Sequence, residues 1–142
     1  MPGLIVSKSY EEMSEEKKTI LLADDDPDVI FQVKHHLEGW GFEVVAVESR
    51  EEAERYLESA CPDLAILDLM MEEEDSGFIL SYKIKKCRPE VPVIISTAVA
   101  AERGISFDIN SPESRSWIKA DHYLEKGFRM EELRLLVHKY LA

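Results

Sequence analysis

Acidic residues follow short apolar runs at two places in the chain, and a hydroxyl and a lysine follow two later runs. These residues are Asp24, Asp25, Asp26, Asp68, Thr97 and Lys126. Carboxylates that share a small crevice repel one another, and a hard divalent cation with oxygen ligands relieves that repulsion. The lysine and the hydroxyl add a positive charge and a hydrogen-bond donor for an anion. Together these residue types predict a Mg²⁺ site beside a site for a phosphoryl group carried by a carboxylate.

The apolar runs alternate with segments of helical periodicity, a pattern that predicts an α/β domain built on a parallel sheet. Strands are predicted at residues 19–23, 43–47, 64–67, 91–96 and 122–124. The carboxyl ends of parallel strands meet at one edge of a sheet, and ligands collect where the strand order reverses. The strand-end residues are therefore expected to lie together.

Helix starts are marked by capping residues and by apolar residues at i, i+3 and i+4 spacing. The predicted starts are Asp26 with Pro27, Ser49 with Glu52, Ser76 and Met130. The segment between Thr97 and the last strand follows a different pattern. It predicts a loop over 104–110 and a short helix over 112–119 in place of one continuous helix through 99–120.

Length and charge limit the classes of protein to which the chain can belong. At 142 residues it is long enough for one compact domain, predicted over 18–142, after a polar lead-in at 1–17. The net charge of −12 disfavours binding to nucleic acid or to anionic lipid. The longest apolar run near the N-terminus is far too short for membrane insertion or a secretory signal, so a cytoplasmic location is expected.

The two cysteines, Cys61 and Cys87, are far apart in the sequence. They lack the close pairing of a zinc knuckle or a redox dithiol. Two reduced thiols are therefore expected.

Four segments together resemble response-regulator receiver domains of two-component signal transduction. They are residues 20–27 (ILLADDDP), 62–71 (PDLAILDLMM), 91–98 and 121–128. The resemblance covers residues 18–142. It implies a flavodoxin-like, doubly wound fold with five parallel strands in the order 2-1-3-4-5 and helices on both faces.

The resemblance also implies roles for individual residues around a bound Mg²⁺. Asp68 corresponds to the phosphoacceptor. Asp25 corresponds to a direct Mg²⁺ ligand, and Asp24 to one that holds the ion directly or through water. The backbone carbonyl of Met70 completes the implied protein ligands.

Three further positions correspond to the family's switch. Thr97 would bond a phosphoryl oxygen and move toward it, and Lys126 would pair with the phosphate. Tyr123 matches the aromatic position that turns inward on activation. The implied partners are a sensor histidine kinase or a histidine phosphotransfer protein and a downstream protein effector, and the protein would not be a turnover enzyme. A stand-alone receiver and a piece of a longer protein both fit the sequence.

The chain departs from the family pattern in two loops. Residues 72–75 make the loop after Asp68 longer and strongly acidic, which indicates a solvated charged run or an altered docking surface. Gly127 stands where the family usually has proline. A cis bond before a residue other than proline costs on the order of 3 kcal/mol, so a trans Lys126–Gly127 bond is expected.

Two other functions remain open on the sequence. Asp24 and Asp26 satisfy the Asp-x-Asp pattern of haloacid-dehalogenase-type phosphatases, and turnover of a phosphomonoester would reveal such an enzyme. The second alternative is a pseudo-receiver that binds partners without phosphorylation. It would lack the modification of Asp68.

Overall fold

The structure, a computed structural model, describes residues 17–73, 75–97 and 120–141. The expected lead-in, apart from Lys17, lies outside the described residues. The predicted loop at 104–110 and the short helix at 112–119 lie outside them as well, so both stay predictions.

Five parallel strands form one sheet among the described residues, in the order β2-β1-β3-β4-β5. The strands are β1 Thr19–Ala23, β2 Glu43–Val47, β3 Leu64–Asp68, β4 Val93–Thr97 and β5 His122–Glu125. The helices are α1 Pro27–Gly39, α2 Arg50–Leu57, α3 Ser76–Cys87 and α4 Met130–Leu141. This confirms the predicted doubly wound fold and its strand order.

Helices cover both faces of the sheet, because the central strands are apolar on both sides. One core cluster joins Leu21, Leu67 and Ile95 of the sheet to α2 and α3. The other joins Ile20, Leu22 and further strand residues to α1 and α4. Burial on both faces holds the strand ends, and thus the residues that follow them, in one rigid frame.

Helices α1 and α2 begin where the capping residues predict. The Asp28 N–H donates to Asp26 Oδ1 over 2.9 Å, with Pro27 in the first turn. The Glu52 N–H donates to Ser49 Oγ over 3.1 Å, and Glu52 Oε1 accepts a bond from the Glu48 N–H. Each cap satisfies backbone donors that have no partner within the helix.

Strand β4 begins at Val93, two residues later than predicted. Pro92 has no N–H to donate to the sheet, whereas its carbonyl accepts a bond from the Ala65 N–H at 3.0 Å. The strand also includes Thr97, which places that hydroxyl residue within the sheet and not after it.

The expectation of two reduced thiols is wrong for this structure, in which a disulfide joins Cys61 and Cys87. Cys61 precedes β3 and Cys87 ends α3, which packs on β3. Packing brings their Cα atoms to 6.6 Å, a separation that a disulfide spans.

Among the described residues, every helix is too short or too polar to span a membrane.

Candidate functional site

Asp68 is the last residue of β3 and lies at the centre of the sheet's carboxyl edge. It pairs with Ser96 of β4, and the next residue, Leu69, continues the ladder by donating to the Ser96 carbonyl at 3.0 Å. Only 5% of Asp68 is exposed. The sheet thus holds this carboxylate in a nearly buried position.

Two more carboxylates reach the same place from the end of β1. The Asp24 N–H donates to the Val47 carbonyl at 3.1 Å, which extends the pairing of β1 with β2. Asp24 is buried and Asp25 is exposed. Each of these two residues and Asp68 offers one carboxylate oxygen, and the three oxygens lie within 4.8 Å of one another. The predicted metal-binding cluster is therefore assembled.

Asp26 does not belong to this cluster of three. Its side chain caps α1 through the Asp28 N–H. Its own N–H donates to Asp24 Oδ1 at 2.9 Å, so it orients the buried carboxylate through its backbone. A phosphatase of the Asp-x-Asp type would need the second aspartate in the reaction site, and that alternative is not favoured.

Lys126 brings a positive charge to the buried carboxylates from the turn that follows β5. Its N–H donates to the Thr97 carbonyl at 2.9 Å, which fixes the turn against β4. Its Nζ lies 3.2 Å from Asp24 Oδ2 and 3.4 Å from Asp68 Oδ1. The bond to Gly127 is trans, as expected, and Gly127 has a φ of +90° that favours glycine.

The close approach of these charges shifts the pKa values of Asp68 and Lys126. Burial, followed by repulsion from Asp24, raises the pKa of Asp68 to about 6, although Lys126 opposes the rise. Burial alone would lower the pKa of Lys126, but the charges of Asp68 and Asp24 outweigh it and raise that pKa. Asp68 is therefore mostly ionised at pH 7 and faces a charged lysine.

Beside Asp68 lies a cavity of about 230 Å³. It is lined by Asp68, Leu69, Met70, Thr97 and Lys126. All of the predicted phosphoryl-contacting residues thus border one space, together with Met70, the predicted carbonyl ligand. Leu69 was not predicted, although its place directly after the acceptor strand was a usable signal.

Tyr123 lies on β5, the strand that pairs with β4. Its ring packs edge-on to Phe78 of α3, with centroids 6.5 Å apart. Its hydroxyl is buried with no hydrogen-bond partner among the described residues. Burial raises the pKa of Tyr123 to about 12. The side chain therefore lies inward, among the core residues on the α2 and α3 face.

Gly77 is a residue that the sequence did not single out. A Cβ atom there would lie 2.7 Å from the Leu69 Cα and 2.8 Å from the Asp68 carbonyl oxygen. Its N–H donates to the Leu69 carbonyl at 2.8 Å. The first turn of α3 can approach the end of β3 because this position has no side chain. A glycine next to a predicted helix start was the available signal.

Comparison with known proteins agrees with this geometry. Residues 20–138 match the family model of the response regulator receiver domain. The chain is 35% identical over 123 residues to the heme response regulator HssR of Staphylococcus saprophyticus. That match covers 87% of this chain and 51% of HssR, so the chain spans about half the length of this relative. A shorter match, 42% identical over 86 residues, links it to the transcriptional regulatory protein GlrR of Escherichia coli and covers 61% of this chain and 19% of GlrR.

Solved structures show the same architecture. The response regulator TrrA of Thermotoga maritima, in complex with Mg²⁺-BeF, superposes with a TM-score of 0.69 at 31% identity. That match covers 87% of this chain and 99% of TrrA. A response regulator receiver protein from Sinorhizobium medicae gives a TM-score of 0.74 at 27% identity, over 89% and 96% of the two chains. With a family match over most of its length, the chain belongs to the response regulator receiver domain family.

Proposed function

We propose that the protein is a cytoplasmic phosphoacceptor that takes a phosphoryl group onto Asp68 and signals through protein contacts. The observation that carries the proposal is the meeting of Asp68, Lys126 and Thr97 around one cavity, beside the carboxylates of Asp24 and Asp25. The donor would be a sensor histidine kinase or a histidine phosphotransfer protein. The recipient of the signal would be a protein effector.

The residues present fit a Mg²⁺ ion. Asp24, Asp25 and Asp68 offer oxygen ligands in one small volume. Burial and then repulsion from Asp24 raise the pKa of Asp68, and a bound cation would relieve both effects. Asp25, Asp68 and the Met70 carbonyl would hold the ion, and Asp24 would hold it directly or through water. Mg²⁺ keeps several waters and uses few protein carboxylates, which suits this donor set.

The chain's own residues would supply the rest of the chemistry. An ionised Asp68 oxygen attacks the phosphorus on the partner's histidine, so that a P–O bond forms as the P–N bond breaks and the imidazole leaves. Mg²⁺ held by these carboxylates would neutralise charge on the transferring group. Lys126 Nζ, already beside Asp68, pairs with a second phosphoryl oxygen, and Thr97 donates a hydrogen bond to another. Water later hydrolyses the acyl phosphate and restores the carboxylate.

A change in Thr97 and Tyr123 would carry the signal outward. The Tyr123 ring packs against Phe78 and its hydroxyl is buried, so a movement of Thr97 toward the phosphoryl group would change how this side chain packs. An element with two discrete packed arrangements can convert a local charge change into a new surface.

The experiment is incubation with acetyl phosphate and Mg²⁺, followed by intact mass and peptide mapping. The parent should gain one phosphoryl group on the peptide that contains Asp68. Asp68→Asn should gain none, and Asp25→Ala should need far more Mg²⁺. Asp28→Asn is the matched control, because it removes an exposed carboxylate of α1 and should be phosphorylated like the parent.

Phosphorylation of the Asp68→Asn variant at another residue under the same conditions would refute the assignment of the acceptor. A parent that never gains the phosphoryl mass would favour the pseudo-receiver alternative.

A further inference from the structure

The acidic loop that follows β3 is bound to the N-terminus of α2. The N–H groups of Arg50 and Glu51 donate to the Glu72 carboxylate at distances between 2.8 and 3.3 Å. The Arg50 guanidinium also binds Glu73 Oε1 at 3.0 Å. Glu72 and Glu73 are therefore exposed to solvent but have specific partners within the chain.

Two side chains from different parts of the chain cap this helix. Ser49 accepts the Glu52 N–H, whereas Glu72, more than twenty positions later, accepts the two preceding N–H groups. A carboxylate at a helix N-terminus also interacts favourably with the helix dipole. The contact is therefore a charge-assisted cap.

The bound loop leads directly into the metal site. Met70 lines the site's cavity and stands two residues before Glu72. The Met70 N–H lies 3.4 Å from Asp68 Oδ1, and the Leu69 carbonyl accepts the Gly77 N–H at 2.8 Å. The backbone from Leu69 to Glu72 is thus held at both ends, by the sheet and α3 at Leu69 and by α2 at Glu72.

We propose that Glu72 is a positioning residue for the metal site: its carboxylate holds the loop against α2 so that the Met70 backbone carbonyl stays in place to bind Mg²⁺. This inference rests on the proposed function. Residues that orient metal ligands without touching the metal commonly change metal affinity 10-fold or more when they are removed. Glu72 would likewise orient the Met70 carbonyl without touching the metal, through the two residues of backbone that separate them.

The test is a Mg²⁺ titration of the full chain, in which binding is monitored through the amide signals of Met70 and Asp25 in ¹⁵N–¹H correlation spectra. Glu72→Ala should raise the half-saturating Mg²⁺ concentration about tenfold. Glu72→Gln keeps one acceptor oxygen and should give an intermediate shift. It also serves as the folded variant if the alanine substitution impairs folding.

Glu73→Ala is the matched control, since it removes the same charge from the same loop but leaves the backbone cap intact. Its half-saturation should stay within about twofold of the parent's, because exposed ion pairs contribute little. Equal shifts in the Glu72 and Glu73 variants would assign the effect to charge alone and overturn the proposal. So would a Glu72→Ala variant that binds Mg²⁺ like the parent.

The same samples separate this inference from the proposed function. A parent that binds Mg²⁺ but accepts no phosphoryl group from acetyl phosphate would refute the phosphoacceptor role and leave the comparison of the loop variants valid. A parent that binds no Mg²⁺ would refute both.

Discussion

Replacement of Asp68 by asparagine is expected to stabilise the metal-free protein at pH 7. The substitution keeps the shape of the side chain and removes a charge that burial and the neighbouring Asp24 disfavour. Asparagine mimics the protonated carboxyl, so the free energy gained should equal the cost of ionising Asp68 in the folded protein.

The magnitude follows from the pKa. The pKa of Asp68 rises from 3.8 to about 6 on folding. Each pKa unit corresponds to about 1.4 kcal/mol, so the predicted stabilisation at pH 7 is about 3 kcal/mol. The side chain is nearly buried, which limits screening by solvent. Asp68→Asn also removes the attraction between Asp68 and Lys126. The predicted value already includes that loss, because this attraction lowers the pKa of Asp68 from which the value is calculated.

The dependence on pH has a definite sign. Between pH 3.8 and about 6 the folded protein binds more protons at Asp68 than the unfolded chain does. The stability that this residue contributes is therefore present below pH 3.8 and lost as the pH rises through about 6. The parent and Asp68→Asn should be almost equally stable near pH 4 and should diverge toward pH 7.

The assay is urea unfolding at pH 4 and at pH 7 in the presence of EDTA, for the parent, Asp68→Asn and Glu90→Gln. The last variant removes an exposed carboxylate and should stay within about 0.5 kcal/mol of the parent. Excess Mg²⁺ at pH 7 should stabilise the parent more than Asp68→Asn and so reduce the difference between them. Parallel loss of stability in the two proteins from pH 4 to pH 7 would refute the reasoning.

Two glycine substitutions beside the site and reduction of the disulfide test the fold. Gly77→Ala places a Cβ atom 2.7 Å and 2.8 Å from backbone atoms, so it should lower the free energy of unfolding in urea by about 1–3 kcal/mol and slow phosphorylation. Gly39→Ala is the control, because a Cβ atom there meets no atom within 4 Å, and it should leave the free energy of unfolding unchanged. Gly127→Ala must adopt a φ of +90° and should cost about 1 kcal/mol by the same measurement; an unchanged midpoint would contradict that. The Cys61–Cys87 disulfide joins residues 26 positions apart, so its reduction should lower the free energy of unfolding in urea by about 3.5 kcal/mol. The stability of a Cys61→Ser variant should not change when reductant is added.

The place of the site could be predicted from the sequence because strand ends are a local signal. Apolar runs ending in Asp24, Asp68 and Thr97 mark the carboxyl edge, and parallel pairing brings those ends together. The capping residues Asp26 and Ser49 were equally visible, since a cap bonds to amides only a few residues away. The choice of phosphoacceptor among the acidic residues came from the resemblance to receiver domains.

What the sequence determined by itself was the pattern of buried strands, the helix starts and the identity of the residues at the sheet edge. The tertiary structure decided the contacts between segments distant in the chain: Lys126 beside both Asp24 and Asp68, Glu72 on the N-terminus of α2, and Cys61 against Cys87. The physical reason is that hydrophobic periodicity reports burial and direction within one element. The distance between two loops depends instead on how every element between them packs.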